Sequence, residues 1–271
     1  MPELPEVEIA RRNLARWLKG RRVIATDSEP TRTFRGADRA AFSLIKGSLL
    51  KAERKGKYLL LSFERNQGLL AHLGMTGKFV RRDKGANETY SKARFVLDNQ
   101  KVIHFRDPRL FGRLEPVKAD SLWSLPVIQA LGVDPLNQGL TSTDLRNALG
   151  ETRLDLKVAL MDQSKVSGLG NIHAAESLFR SGIHPARKCT SLTEADWKKL
   201  SQAILKAIAF ALDQEDEDEI RYVEEPGSTN PFWVYGKAKT LCRKCRKSEI
   251  ESFVQAGRTT FFCPHCQPRG A

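Results

Sequence analysis

Near the end of the chain, Cys242-Arg-Lys-Cys245 and Cys263-Pro-His-Cys266 place four thiols in two close pairs with seventeen residues (246–262) between them. Two residues between thiolates let both sulfurs point at one ion about 2.3 Å away, and two such pairs complete a tetrahedral zinc site. The spacing predicts one structural Zn2+ held by Cys242, Cys245, Cys263 and Cys266, and a small unit folded around it. His265 lies inside the second knuckle and reads as a bystander. The fifth cysteine, Cys189, stands alone, so a disulfide framework is a poor explanation of the set. It carries no readable function and is expected as a buried or half-buried thiol. Between the knuckles, ESFVQAGRTTFFC (251–263) alternates like two strands around a turn at 255–258, which puts Arg258 at a hairpin tip.

Charge gives this small unit a partner. Lys237, Lys239, Arg243, Lys244, Arg246 and Lys247 fall in eleven residues with no acid among them, and the whole chain carries 45 Lys and Arg against 32 Asp and Glu, a net +13. Each cation that meets a phosphate releases a condensed counterion, so a balance of this size favours a polyanion. A zinc-stapled hairpin bearing such charge predicts a nucleic-acid contact; the competing reading is a merely solvated basic surface. With 271 residues, 41% hydrophobic and 28% charged, the chain is expected to form one large or two medium globular domains. No run approaches the roughly 18 apolar residues of a membrane helix, and the N-terminus has no apolar signal-peptide core. Neither export nor a membrane partner is expected, and the expected location is cytoplasmic.

The rest of the chain changes texture twice. From Pro5 to Leu18, Val7, Ala10, Leu14, Trp17 and Leu18 recur at helical spacing, with Pro5 and Glu6 suited to a first turn and Gly20 to a stop. From 22 to 116, short runs such as KYLLLSF (57–63), ARFVLD (93–98) and KVIHF (101–105) predict a β-sandwich or barrel. The stretch LGVDPLNQG (131–139) reads as a linker. Helical patterns follow over 143–149, 154–162, 171–181 and 193–212, and DQEDEDE (213–219) is expected to break the last of them as solvated loop. Glycines in SGLGN (167–171), ahead of a helix, allow backbone amides to approach a phosphate where the helix dipole favours anions; a ligand-free glycine turn is the ordinary alternative.

The first residues carry their own chemistry. Once Met1 is removed, Pro2 exposes a secondary amine that titrates near 7.7–8, far below lysine, and the adjacent helix start lowers it further. Such an amine attacks a sugar aldehyde carbon to give a charged iminium, an electron sink, and Glu3 beside it is placed to move protons. Taken alone, a proline at position 2 is usually an accident of processing.

MPELPEVE, HLGMTG (72–77), RDPRLFG (106–112), MDQSKVSGLGNIHAAESLFRSGIHP (161–185), VYGK (234–237) and the two knuckles, in this order, closely resemble the formamidopyrimidine-DNA glycosylase family over nearly the whole chain. The resemblance implies an α+β multi-domain fold: a first helix and β-sandwich (1–130), a helix–two-turns–helix DNA-binding domain (131–220), a lesion-recognition loop region and connector (221–235) and a C-terminal zinc-finger β-hairpin (236–271). It implies a base-excision repair enzyme that flips out oxidised purines from double-stranded DNA, removes them, and cuts the strand by β- and δ-elimination at abasic sites; nothing in the sequence suggests an obligate oligomer, so a monomer is expected. Pro2 matches the family's Schiff-base nucleophile, Glu3 its proton donor, Lys57 its elimination lysine and Arg258 its finger arginine, which grips the phosphates flanking the lesion and assists δ-elimination. Met75, Arg109 and Phe111 match the three residues that fill the void left by the everted base. Asn171 matches a phosphate-binding asparagine, Lys157 a lysine near the lesion and Glu176 a structural acid, while Tyr90 and Arg153 align with DNA-contacting positions.

The chain departs from the family in places. Tyr90 stands where a His is familiar and His173 where a Tyr is familiar. Between Phe210 and Pro231 the family's longer loop over the extruded base is replaced by a shorter acidic segment. Acids near a phosphate channel are unfavourable unless they point to solvent, so the altered segment bears on lesion choice. Two other functions remain: the sister endonuclease VIII group, which prefers oxidised pyrimidines, and a non-catalytic DNA-binding relative.

Overall fold

A computed structural model describes residues 2–35, 38–214 and 218–269. Met1 and residues 215–217, on which parts of the sequence reading fall, lie outside the described residues. The chain divides into two units, one of Met1–Gln129 with Glu215–Ser228 and the other of Ala130–Gln214 with Thr229–Ala271.

In the first unit, helix α1 (Leu4–Leu18) buries Val7, Ala10, Leu14, Trp17 and Leu18, the face expected from their spacing. Gly20 follows at φ +66°, a conformation that ends the helix without strain. Among the described residues, eight antiparallel strands come next: β1 (Arg22–Ser28), β2 (Gly47–Lys55), β3 (Tyr58–Phe63), β4 (Gln67–His72), β5 (Lys78–Asp83), β6 (Ser91–Leu97), β7 (Lys101–Arg106) and β8 (Arg113–Lys118). A short helix α2 (Asp38–Phe42) lies between β1 and β2. The strand order is β5-β7-β6-β1-β2-β3-β4-β8. Only two residue pairs, Arg22↔Ser48 and Val23↔Gly47, join β1 to β2, so two four-stranded halves meet at a narrow seam. Phe63 of β3 stacks on Phe95 of β6 at 6.1 Å, and Phe42 of α2 meets Phe95 edge-on at 5.1 Å. Side chains from both halves therefore share one core, a sandwich arrangement, one of the two that the short apolar runs predict. Helix α1 packs mainly on β2 and also touches β3 and β5. The chain then passes through helix α3 (Pro126–Gln129).

The second unit contains α4 (Ser142–Leu149), α5 (Leu156–Leu160), α6 (Asn171–Ser181) and α7 (Glu194–Gln214), followed by the strands β9 (Glu251–Gln255) and β10 (Arg258–Phe262). Thr141 and Asp144 form a capping box at α4, with Asp144 N–H donating to Thr141 Oγ1 at 3.1 Å. Helix α6 packs against α7, and α4 also leans on α7. Helix α5 is shorter than its apolar pattern over 154–162 because Asp155 already occupies the N-cap and Met161 the C-cap. Phe179 and Ala175 of α6 share a core with Val234, Ile250, Cys242 and Cys263, so the cysteine unit is seated on this helix. No helix among the described residues is long and apolar enough to cross a membrane.

Candidate functional site

The four cysteines converge. Their sulfurs lie within 4.8 Å of one another, with Cys242 to Cys266 at 3.9 Å and Cys245 to Cys263 at 3.7 Å. A tetrahedron with zinc–sulfur bonds of about 2.3 Å has sulfur–sulfur edges of about 3.8 Å, so the donor set suits one Zn2+. His265 is exposed and stands apart from the cluster. Gln267 ties the second knuckle to the body of the unit: its Nε2 donates to the Ile183 carbonyl at 2.8 Å, and its Oε1 accepts from Cys263 N–H at 3.0 Å. Cys189, by contrast, is buried, and burial pushes its thiol up to about 11, which makes it inert.

Between the knuckles, Ala256 and Gly257 form the turn at φ +48° and +71°, the paired positive values of a two-residue hairpin loop. Arg258 is exposed beside this turn, as expected, and faces Gln255 across the strands. Asn171 opens α6 after the N-cap Gly170. Its Oδ1 accepts from Lys157 Nζ at 2.5 Å, and its Nδ2 donates to the Thr259 carbonyl of β10 at 3.2 Å. Lys157 is fully buried, and its ammonium also donates to Thr260 Oγ1 at 2.8 Å. The lysine expected near the lesion thus faces inward onto Asn171 and β10, whereas Arg153 is exposed. The SGLGN turn has Gly168 at φ +95°, and its N–H donates to Gln163 Oε1 at 2.9 Å. Glu176, 1% exposed, accepts from the backbone N–H groups of Trp233, Val234 and Tyr235 at 2.9–3.1 Å, which fits a structural acid.

In the first unit, Pro2 and Glu3 are buried at the head of α1. Glu3 is the N-cap, and its backbone N–H donates to Glu6 Oε2 at 2.8 Å. Sequence reasoning assigned Glu6 only to the helix start; the contact makes it the support of the Pro2–Glu3 segment. Lys57 sits half-buried in the turn between β2 and β3. Burial, and then the charge of Lys57, push the His72 imidazole down to about 4.

The turn that carries Met75 and the loop that carries Arg109 and Phe111 are packed together. Gly74, at φ +68°, lies so close that an added Cβ would be 2.4 Å from the Phe111 carbonyl carbon, so only glycine fits. Asp107, fully buried, accepts from Thr76 Oγ1 at 2.8 Å and from Gly112 N–H at 2.7 Å, joining the two loops. The Phe111 ring is half-exposed between two guanidinium groups, Arg109 at 5.0 Å and Arg32 at 5.1 Å. Arg32 also donates to the Leu110 and Arg109 carbonyls at 2.7 and 2.8 Å. Neither Arg32 nor Asp107 was singled out from sequence, because each acts on a loop far along the chain. Tyr90 is exposed at φ +61°, with Arg106 over its ring at 5.8 Å.

The acidic segment is not simply solvated. Asp218 pairs with Arg16 and Arg81, and Glu219 with Lys78 at 3.2 Å and Arg82 at 2.8 Å. Glu225 adds a second carboxylate to Lys78 at 3.1 Å, and Tyr222 Oη donates to the Gly77 carbonyl at 2.6 Å. Burial raises the Glu219 pKa, but Arg82 and Lys78 outweigh it and hold the carboxyl below its ordinary value. The expectation of a solvated loop over 213–219 is corrected at Glu219, which is only partly exposed, while Asp218 is exposed but paired; both meet cations of β5, the strand that follows the Met75 turn.

Family models match three stretches: formamidopyrimidine-DNA glycosylase N-terminal domain at residues 1–114, formamidopyrimidine-DNA glycosylase H2TH domain at 131–221, and a zinc finger found in FPG and IleRS at 241–269. The formamidopyrimidine-DNA glycosylase of Desulfitobacterium hafniense is 35% identical over 274 residues, covering 98% of this chain and all of that one. That of Thermus thermophilus is 35% identical over 280 residues, with both chains covered completely. A crystal structure of the Thermus thermophilus protein superposes with a TM-score of 0.82 at 33% identity, covering 100% of both chains. The Lactococcus lactis protein in complex with DNA containing an abasic site gives 0.86 at 27% identity, covering 98% of this chain and 99% of that one.

Proposed function

The chain belongs to the formamidopyrimidine-DNA glycosylase family, and from that premise we propose that it is a bifunctional repair enzyme acting on oxidised purines, 8-oxoguanine and formamidopyrimidines, in double-stranded DNA. One zinc ion, held by the four cysteines, keeps the finger folded and takes no part in the chemistry. An enzyme with this substrate works beside the chromosomal DNA, in the cytoplasm.

The damaged base must leave the stack before it can react, at a cost of a few kcal/mol. Met75, Arg109 and Phe111 fill the vacancy: a flexible apolar plug, a hydrogen-bonding arm and a flat wedge. The Pro2 nitrogen attacks C1′ of the everted nucleotide. A C–N bond forms as the glycosidic bond breaks, and the base departs with a proton. Opening of the sugar ring, with Glu3 as proton donor, leaves an iminium. Loss of the C2′ proton expels the 3′ phosphate, and a second loss at C4′ expels the 5′ phosphate. Water then releases the sugar fragment and restores the amine. Lys57 assists the elimination, while Arg258, Asn171, Arg153 and Tyr90 hold the strand. Lys157 serves the strand through Asn171, because its ammonium is committed to that side chain and to Thr260.

The observation that most supports this reading is the seating of Pro2–Glu3 on a helix start, with Glu6 gripping the Glu3 amide at 2.8 Å. A nucleophile on such a support loses little freedom on reaction. Borohydride reduction during turnover on an abasic duplex is expected to give a covalent protein–DNA complex. Protein that retains Met1, and Pro2→Gly, are expected to give at least about tenfold less, since the secondary amine is the activated group. A complex of undiminished yield in Met1-retaining protein would refute the assignment.

The docking of the acidic 218–225 segment onto β5 favours one second reading, preference for oxidised pyrimidines. Duplexes carrying 8-oxoguanine or thymine glycol, cleaved side by side, decide it. Faster cleavage of thymine glycol would transfer the chain to that substrate class.

A further inference from the structure

Arg258 is exposed, and its side chain makes a long polar contact, Nη1 to Met161 Sδ at 3.7 Å. Its direction is therefore set by the backbone that carries it. That backbone is gripped at three neighbouring positions by residues of the helical part of the same unit. Asn171 donates to the Thr259 carbonyl, and Lys157 donates to Thr260 Oγ1. The third grip is at Gln255, the residue directly across the ladder from Arg258. Its side chain is buried, and Nε2 donates to Asp155 Oδ2 at 2.7 Å, while Oε1 accepts from Thr260 Oγ1 at 3.3 Å.

Asp155 is the unexpected partner. It occupies the N-cap of α5, where an aspartate ordinarily accepts from the first free N–H groups of its own helix. Here it makes no side-chain cap hydrogen bond. One carboxylate oxygen reaches Gln255 and the other accepts from Lys188 Nζ at 2.6 Å. The helix-capping bond has been exchanged for a link to the base of a hairpin whose tip carries one exposed arginine. A hairpin of two short strands is marginal by itself and swings about its base. A partly buried amide-to-carboxylate bond at the position facing Arg258 removes that freedom.

We propose that Asp155 and Gln255 are positioning residues, a latch that fixes Arg258 against the phosphates during strand scission. The proposal rests on the reading of Arg258 as the residue that grips those phosphates and assists δ-elimination. Gln255 fixes the strand before the tip, Thr259 and Thr260 fix the strand after it, and Lys188 holds the Asp155 carboxylate in place. Substrate is not touched by either member of the latch.

The test uses the full zinc-loaded chain and an abasic duplex, with the ratio of δ- to β-elimination ends measured in a single turnover. Arg258→Ala sets the scale. Gln255→Leu and Asp155→Leu are expected to lower the ratio about tenfold, as small displacements of a positioned group do, while Asp155→Asn, which keeps an acceptor for Gln255, stays within about twofold of the parent. Borohydride-trapped yield and zinc content are expected to be unchanged in all three, which separates positioning from loss of the fold. If Arg258→Ala lowers the ratio and both leucine variants leave it unchanged, the latch is refuted and Arg258 keeps its role. If Arg258→Ala itself has no effect, the reading of Arg258 falls and the latch falls with it. Loss of zinc in Gln255→Leu transfers the decision to Asp155→Leu, which lies outside the finger; loss in both, or an equal defect in Asp155→Asn, overturns the proposal.

Discussion

His72 joins charge to geometry at the scale of one side chain. Its Nδ1 accepts the Gly74 N–H at 3.1 Å, so the turn that carries Met75 depends on an unprotonated imidazole. Burial and the nearby Lys57 push its pKa down to about 4. The unfolded chain, with an ordinary histidine near 6.5, binds more protons between these two values. Stability from this group is thus complete above about pH 6.5 and is lost as the pH falls toward 4, a range that corresponds to roughly 3 kcal/mol. Urea unfolding at pH 7 and pH 4.5 measures the loss, and His72→Asn is expected to flatten it; an unchanged pH difference in that variant would remove His72 as its source. The importance of His72 was not visible in the sequence, although HLGMTG is, because desolvation is a property of what packs around the ring. Lys157 makes the same point. Its alignment with a DNA-proximal lysine is legible, but its burial depends on Thr260, more than a hundred residues later.

At the scale of elements, the zinc hairpin and the acidic segment show two ways of fixing a short piece of chain. The hairpin is closed by metal and seated on α6 through Phe179, Val234 and Ile250. Loss of one thiolate leaves three donors, and zinc binding is folding free energy for a unit this small. Cys245→Ser is expected to release the metal and weaken duplex binding by about tenfold or more while the sheet of the first unit stays folded. Zinc assay, circular dichroism and a titration with abasic duplex measure the three quantities; full affinity in metal-free protein would contradict a role for the hairpin in binding. Asp218, Glu219 and Glu225 of the acidic segment are held by charge, with Lys78, Arg81 and Arg82 of β5 supplying the counter-ions. The basic run of β5 and the acidic run at 213–219 are each obvious in the sequence. That Asp218 and Glu219 of this run pair with Lys78, Arg81 and Arg82 is not, because charge has no directional code and either run could have faced solvent or DNA.

At the scale of the molecule, the net charge of +13 makes salt the principal external control on binding. Each phosphate contact contributes about −0.9 to the slope of log affinity against log salt, so Arg153→Ala, at an exposed position, is expected to reduce that slope by about one unit without changing lesion preference. Fluorescence anisotropy across a salt series checks it, and an unaltered slope would remove Arg153 from the strand contacts. The sequence by itself determined which elements form and what chemistry they can carry: periodicity set α1 and the strands, C-x2-C spacing set the metal site, and the ordered motifs set the family. Those signals are local, written within one turn, one strand or one knuckle. The tertiary structure alone decided that Gly74 lets the Met75 turn meet the Phe111 loop, that Asp107 ties them, and that Asp155 abandons its own helix for Gln255. Each of these is a contact between segments distant in the chain, chosen by packing and by the need to pair every buried polar group, and neither condition exists until the segments meet.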